Sequence, residues 1–310
     1  MSPTYSEYLR LEELLKLQTG VEGETRNISN DELHFILVHQ NFELWFKLVI
    51  NELTCTRNIL SSDYVEETKL PQAVHHMERV IETFKLMSQQ WRVMETLEPQ
   101  DFLNFRDELG TASGFESFQM REMESLMGSK WIDSKLVGKP ETSNSLYYVT
   151  CDWLERTPIQ GSVYGSTNDE KNVDDFIADY LLAHKKLYPD TNKDAVNFFE
   201  EESSLRRRRA GLVFIESYRE LPLLAWPRKL ISTLIELEQS MILWRTSHAR
   251  MVERMIGRRI GTGGSSGVDY LDMTTKYRVF VDLWAVRSIL IKKEALPELK
   301  NKEFYEFRGE

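Results

Sequence analysis

Cysteine is scarce in this sequence. The 310 residues include two cysteines, Cys55 and Cys151, which are far apart and form no CxxC pair. This spacing argues against a disulfide framework and against a structural zinc site, and it is typical of proteins from reducing compartments. Because no CxxCH motif occurs, covalent attachment of a c-type haem is excluded. A cytoplasmic location is therefore predicted.

Long apolar runs and an excess of positive charge are also missing. No apolar stretch approaches the roughly 20 residues that cross a membrane, and the N-terminal MSPTYSEYLRLEELLK is amphipathic and charged, unlike a signal peptide. The formal net charge of −10 argues against nucleic-acid binding by the chain as a whole. The basic run at 206–209 follows the acidic stretch EEES at 200–203, and we interpret it as a solvated, self-compensating helix face. Neither a nucleic-acid partner nor a membrane contact is predicted.

Helical periodicity dominates what is present. Hydrophobic residues make up 41% of the chain, which is enough for a large core. Apolar residues recur three and four positions apart, Ser29 or Asn30 is a suitable N-cap, and no strand pattern or internal repeat is found. We predict an all-α chain that forms a single large helical domain over residues 1–310, with an irregular insertion at 130–175 that consists of loops and minor helical pieces. Helices are expected at 28–60, 70–97, 98–110, 113–128, 173–188, 194–221 and 228–259.

A histidine near the end of the longest predicted helix has apolar neighbours. On a helix, His248 lies beside Trp244, Met251, Val252 and Met255. A hydrogen-bonded core histidine is the more common explanation of this pattern. An axial haem ligand is the alternative, because haem iron takes a neutral imidazole from a rigid element in an apolar slot.

Two further side chains are candidates for binding a ligand. His39 follows Phe35 by one helical turn, so this aromatic stripe is either core or a pocket in which the imidazole hydrogen-bonds a flat heteroaromatic ligand. Arg106 follows Phe102 by one turn. It is either a surface arginine paired with a neighbouring carboxylate or a partly buried guanidinium that binds a ligand carboxylate through two hydrogen bonds.

The loop GTGGSSG follows the helix of His248. It lacks the GK[ST] ending of a P-loop, and it fails the GxGxxG pattern because Ser266 stands at the last glycine position. A domain linker is disfavoured, because the following VDYLDMTTKYRVFVDLWAVRSIL looks structured. A glycine-rich loop can bring backbone N–H groups and the Thr262 hydroxyl close to a ligand.

Five stretches together resemble the tryptophan 2,3-dioxygenase family. They are YSEYLRLEELL, DELHFILVHQNFELWFKL, FRDELGTASGFESFQMR, LWRTSHARMVERMIG and GTGGSSGVDYL, in family order from Tyr5 to Leu271. The similarity is weak between about Lys130 and Phe198. The resemblance implies a mostly helical homotetramer that holds haem b between helices. It also implies use of O2 to open the indole pyrrole ring of L-tryptophan, giving N-formylkynurenine.

The same resemblance implies roles for individual residues. His248 in WRTSH matches the proximal haem ligand, and His39 in HFILVHQ matches the distal histidine that hydrogen-bonds the indole N–H. Phe35 matches the aromatic residue that packs on the indole. Arg106 in FRDELG matches the group that binds the substrate carboxylate, and Thr262 matches the hydroxyl that contacts the amino-acid end of the substrate.

Other matches concern the rim of the site. Ser113 in ASGF looks like the family's serine on the distal side of the haem. Tyr5, Tyr8 and Leu9, in an N-terminal arm at 1–20, resemble residues that reach into a neighbouring subunit's site. Phe102 stands where many bacterial members have a tyrosine whose hydroxyl assists carboxylate binding, so one substrate contact is weakened.

One departure from the family motivates an alternative. The pair Asn41 and Phe42 replaces the TS common in bacterial members, and beside His39 it is expected to reshape the distal pocket. The leading hypothesis is dioxygenation of L-tryptophan. The second is an offshoot enzyme that oxygenates a substituted tryptophan, with one oxygen atom inserted, in a biosynthetic pathway. A haem-binding sensor and a helical scaffold without cofactor are the non-enzymatic alternatives.

Overall fold

The chain folds almost wholly into helices. A computed structural model describes residues 2–20, 27–110, 114–129, 144–200, 203–259 and 267–306. Within these ranges there are thirteen α-helices and no β-strand, and one isolated antiparallel bridge joins Ile159 to Ser162. The prediction of an all-α chain is confirmed.

The helices differ widely in length, and three of them span about 25 residues or more. Their bounds are α1 Tyr5–Leu9, α2 Leu11–Leu14, α3 Asn30–Leu60, α4 Leu70–Met94, α5 Pro99–Arg106, α6 Phe118–Met127, α7 Leu146–Glu155, α8 Asp169–Leu187, α9 Asn192–Phe199, α10 Ser203–Ser217, α11 Ala225–Ile256, α12 Gly267–Thr274 and α13 Val281–Ala285.

Most predicted helix ends agree with the structure. Of the two N-cap candidates for α3, Ser29 is the cap, since its Oγ accepts a hydrogen bond of 3.1 Å from the Glu32 amide. Gly110 and Gly128 follow the helical segments at 99–109 and 118–127 with φ of 59° and 94°, a conformation that glycine adopts without strain.

Two predicted segments differ in detail from the structure. The stretch 130–175, expected to be irregular with minor helical pieces, contains α7 at 146–155 and the first residues of α8, which begins at Asp169. The Ser145 hydroxyl caps α7 by accepting a hydrogen bond from the Tyr148 amide. The helical stretch expected over 194–221 is divided into α9 and α10, because α9 ends at Phe199 and α10 begins at Ser203, the last residue of the EEES stretch.

The described chain divides into two compact units. The first unit comprises Met1–Val49, Glu82–Met120 and Met241–Lys276, and the second comprises Ile50–Ile81, Arg121–Ser240 and Tyr277–Glu310. Residues of the three longest helices are shared between the units. The expectation of one domain over 1–310 stays a prediction. None of the described helices combines the length and the apolar character needed to cross a membrane.

The core of the first unit is an aromatic cluster. Phe42 and Phe46 from α3, Phe84 and Trp91 from α4, and Trp244 from α11 are each at most 5% exposed. The ring centroids of Phe42 and Trp91 are 4.1 Å apart, and Trp244 lies 5.7 Å from Phe46. Aromatic side chains bury large areas and favour such tilted and edge-on contacts. The cluster therefore fixes how the three helix segments pack around the candidate site.

The second unit contains a buried carboxylate. Glu52 on α3 is 3% exposed and accepts hydrogen bonds from His76 Nδ1 at 2.6 Å and Arg79 Nη1 at 2.8 Å, both on α4. Burial raises the pKa of Glu52, but the hydrogen bonds from His76 and Arg79 outweigh it, so the pKa is lowered overall. The ionised carboxylate is thus favoured in the folded chain.

We expect Glu52→Gln to lower the free energy of unfolding by about 2 kcal/mol near neutral pH, because His76 and Arg79 lose a charged acceptor. A carboxylate whose folded pKa is depressed contributes stability above its unfolded pKa, and this contribution is lost as pH falls through the folded pKa. The difference in the free energy of unfolding between wild type and Glu52→Gln should therefore narrow below about pH 4.5. Urea unfolding measured from neutral to acidic pH tests this. A gap that is constant with pH would show that the ionised form contributes nothing.

Candidate active site

His39 and Phe35 lie on the same face of α3 in the first unit. The His39 Nδ1 is 2.8 Å from the carbonyl oxygen of Phe35, and the two rings lie 4.0 Å apart at a tilt of 32°. A carbonyl oxygen only accepts, so Nδ1 carries the proton and donates it. Nε2 is therefore left with its lone pair, as a hydrogen-bond acceptor.

The environment of His39 keeps this imidazole neutral. Burial lowers the pKa of His39, and the hydrogen bond to the Phe35 carbonyl and the charge of Glu43 oppose this effect without cancelling it. A neutral imidazole with its Nδ1–H already used is suited to accept a hydrogen bond from an N–H group of a ligand.

Three phenylalanines form an aromatic wall beside His39. The Phe35 ring centroid lies 5.8 Å from that of Phe102 and 5.6 Å from that of Phe105, and the last two are 5.4 Å apart. Phe105 is 3% exposed, whereas Phe35 and Phe102 are half-buried. The two half-buried rings were predicted from the sequence, whereas Phe105 was not. Its position three residues after Phe102 on α5 is the signal that points to it.

Arg106 is the last residue of α5 and lies one turn after Phe102. Its side chain is half-buried. Because residues four apart share a helix face, the wall and the guanidinium belong to the same side of α5. A planar guanidinium beside an aromatic wall is suited to a ligand that carries both a flat ring and a carboxylate.

His248 lies on α11 among aromatic side chains. Its imidazole is stacked on the Trp91 indole, with centroids 4.4 Å apart and planes within 1°, and Trp244 lies 5.8 Å away. Burial, with a smaller contribution from His39, lowers the pKa of His248 to about 3.

This arrangement fits a haem. The His248 imidazole is neutral, half-buried and bordered by apolar rings, and no described residue forms a hydrogen bond with it. A single neutral imidazole is what haem iron takes from the protein in many haem proteins. The alternative of a hydrogen-bonded core histidine has no partner within the described ranges to support it.

A carboxylate on α3 holds the segment that follows residues 111–113. Glu43, one turn after His39, accepts hydrogen bonds from Ser117 Oγ at 2.7 Å and Gln119 Nε2 at 2.9 Å. The Gln119 amide also donates to the Glu43 backbone carbonyl at 2.8 Å. Glu43 thus fixes the start of α6 beside His39, a role that the sequence analysis did not predict.

The ends of the glycine-rich loop are tied together. Arg258, just after α11, forms an ion pair of 3.0 Å with Asp269 in the first turn of α12, and Arg250 pairs with Asp272. In the sequence, Thr262 falls between these ends, and it is outside the described residues. Ser113 is also outside the described residues.

Two further expectations concern residues away from the aromatic wall. Tyr5 and Tyr8 on α1 are 76% and 78% exposed, and Leu9 is 42% exposed. Asn41 is exposed, and Phe42 packs on Trp91, whose indole is stacked on His248. That this pair reshapes the distal pocket stays a prediction.

Comparison with known proteins gives a consistent result. The family model described as tryptophan 2,3-dioxygenase matches residues 1–290. The chain is 40% identical to tryptophan 2,3-dioxygenase 2 of Ralstonia nicotianae, over 99% of this chain and 98% of that protein. It is 39% identical to the tryptophan 2,3-dioxygenase of Sorangium cellulosum, over 99% of this chain and 88% of that protein. It is 33% identical to that of Alteromonas mediterranea, over 95% and 94% of the two chains.

Proposed function

Because the chain belongs to the tryptophan 2,3-dioxygenase family, we propose that it is a haem enzyme that inserts both atoms of O2 into L-tryptophan. The indole C2–C3 bond is cleaved and N-formylkynurenine is formed, which is the first step of tryptophan breakdown through the kynurenine pathway. The resemblance noted in the sequence is confirmed, and the chain is an enzyme of this type.

The tautomer of His39 is the observation that carries the proposal. Its Nδ1–H is donated to the Phe35 carbonyl, so Nε2 accepts, and the indole N–H of tryptophan is a matching donor. His39 need not remove a proton, because positioning the indole is enough to bring C2 and C3 to the oxygen. The neutral form favoured by burial supports this role.

The aromatic wall and Arg106 complete the match to the substrate. Phe35 and Phe102 present half-buried ring faces for the indole, with Phe105 behind them. Arg106 binds the carboxylate through a pair of hydrogen bonds, and Thr262 contacts the amino-acid end. Fixing tryptophan at two ends restricts it to one orientation, which is how binding energy contributes to rate here.

In this proposal His248 holds the haem from its proximal side. Its neutral imidazole would coordinate the iron, and the family match assigns Ser113 to the haem as well. When bound, the haem supplies the activation of O2, which amino-acid side chains do not provide. The buried rings of Trp91 and Trp244 lie against the His248 imidazole and give it an apolar border.

The other hypotheses are less well supported. The relatives described above are named tryptophan 2,3-dioxygenase, which does not favour an offshoot that inserts one oxygen atom into a substituted tryptophan. A sensor of diatomic gas or a scaffold has no use for Arg106 beside an aromatic wall.

Turnover of L-tryptophan under ¹⁸O2 by the haem-loaded ferrous protein tests the proposal. We expect a product that carries two labelled oxygen atoms. A product with one labelled atom would instead support the offshoot enzyme. If no product forms, the result would support a haem sensor or a scaffold. Equal turnover of ring-substituted tryptophans would broaden the substrate class without changing the reaction.

The role of His39 gives a sharper prediction. Wild type should prefer L-tryptophan over 1-methyl-L-tryptophan, since methylation removes the N–H that Nε2 accepts. In His39→Ala this preference in kcat/KM should fall roughly tenfold, the value of one buried hydrogen bond. Leu37→Ala, an exposed position on the same helix, is the control. If His39→Ala keeps the preference for L-tryptophan over 1-methyl-L-tryptophan, the aromatic wall and not the imidazole discriminates at the indole nitrogen.

We further propose that the protein is a homotetramer in which Tyr5, Tyr8 and Leu9 of each N-terminal arm reach the neighbouring subunit's site. The high exposure of these side chains on α1 supports this. Mass measured by light scattering, with and without Tyr8→Ala, tests the assembly. Cys55 and Cys151 are free thiols, in keeping with the cytoplasmic location, which stays a prediction.

A further inference from the structure

Three rings from three helix segments are stacked in a row in the first unit. Phe42 lies 4.1 Å from Trp91 at a tilt of 30°, and Trp91 lies 4.4 Å from His248 with parallel planes. No ring contact between Phe42 and His248 is found among the described residues, so the phenyl and the imidazole lie against opposite faces of the indole. The indole is therefore held between them.

Among the described residues, no hydrogen bond fixes the plane of the central ring. Trp91 Nε1 is excluded from solvent and has no hydrogen-bond partner within that part of the chain. Ligand histidines usually donate their second ring N–H to a carboxylate, a carbonyl or water, and this bond sets the ring orientation. No described residue makes such a contact with His248. Packing must therefore set the orientation of both rings.

The Phe42 ring is itself held firmly. It is 3% exposed and contacts Phe46 at 6.4 Å and Trp244 at 6.2 Å in addition to Trp91. Close-packed protein interiors transmit small shifts of one side chain to its neighbours, because a side chain cannot move without opening a void. A smaller side chain at 42 would let the indole tilt, and the imidazole stacked on its other face would lose its plane.

We propose that Phe42 is a positioning residue that acts through Trp91 to set the plane of the His248 imidazole. The proposal rests on the proposed function, in which His248 holds the haem iron. It gives the Asn41–Phe42 departure from the common bacterial TS pair a role on the proximal side of the site.

The first test uses the protein without haem. Histidine side chains are labelled with ¹³C, and the His248 resonance is assigned as the one absent in His248→Gln. Stacking on Trp91 should shift its ring protons upfield by the ring current. In Phe42→Leu the resonance should move toward those of the other histidines. In Phe46→Leu, which makes the same change at an equally buried position without contact to Trp91, it should stay in place.

The second test uses the haem-loaded protein. We expect haem to dissociate roughly tenfold faster from Phe42→Leu, in line with other substitutions behind a metal ligand, and the ferrous iron–histidine stretching band to broaden. Phe46→Leu should match wild type in both measurements, and Phe42→Tyr should restore both.

The proposal is overturned if folded Phe42→Leu keeps the His248 resonance in place, or if Phe46→Leu shifts it equally, which would indicate general loosening of the core. Phe42→Met, which keeps volume without a ring, provides the same test if the leucine variant does not fold. If wild type binds no haem through His248, the proposed function fails, whereas the resonance of the haem-free protein still decides whether Phe42 sets the ring plane.

Discussion

Replacing His248 with glutamine is expected to abolish stable haem binding and all turnover of tryptophan, while the chain stays folded. Loss of an outer partner of a metal ligand already costs 10- to 100-fold in affinity, so loss of the axial ligand itself should weaken haem binding by at least about 100-fold. Titration of the haem-free protein with haem, followed at the Soret band, measures this. Far-ultraviolet circular dichroism reports the fold.

A matched control and a rescue make the His248 result specific. His75→Gln alters an exposed histidine of the second unit and should bind haem as wild type does. In His248→Gly, free imidazole should restore the ferrous spectrum, because it can occupy the space beside Trp91. Tight haem binding by the glutamine variant would show that another group is the axial ligand.

Arg106→Leu is expected to lower kcat/KM for L-tryptophan roughly 100-fold, the cost of removing charge-assisted hydrogen bonds to the substrate carboxylate. Most of the loss should be in KM, because the carboxylate is bound equally before and during the reaction. A smaller fall in kcat should follow from poorer orientation of the indole. Arg106→Lys should recover only part of the loss, since an ammonium cannot reproduce the two parallel hydrogen bonds.

Tryptamine, which lacks the carboxylate, separates binding from folding effects. Wild type and Arg106→Leu should turn it over at similar low efficiency, whereas they differ strongly with tryptophan. Arg92→Leu, at an exposed position on α4, should behave as wild type with both compounds. An equal loss with tryptophan and with tryptamine would mean that Arg106 supports the fold of the site and does not bind the carboxylate.

Features encoded within one helix could be predicted from the sequence. The all-α class, the N-cap of α3, and the placement of Phe35 and His39 on one face follow from periodicity and capping, which depend on neighbours a few residues away. The bounds of the ten-residue helix α7 could not be predicted because glycine, serine and proline around it favour turns, although Ser145 is an ordinary N-cap. The break between α9 and α10 could not be located because the acidic EEES stretch is also compatible with a helix.

Contacts between distant segments could not be predicted. The stack of Phe42 on Trp91 joins positions 49 residues apart, and the bonds of Glu43 to Ser117 and Gln119 span more than 70. A buried phenylalanine and an ordinary glutamate give the same sequence pattern in any helical core. Which partner each one meets is decided by the packing of whole helices, and periodicity does not contain that information.

The hydrogen bond from His39 to the Phe35 carbonyl has a consequence for how this pocket can vary. The acceptor is part of the main chain of α3, so a substitution at any surrounding side chain leaves it in place. The wall residues can therefore change and admit indoles with different ring substituents, while His39 keeps the tautomer that requires a ring N–H on the ligand. Substrate range therefore depends on the side chains of the wall, whereas recognition of the ring N–H depends on the His39 imidazole and on the backbone carbonyl that fixes its tautomer.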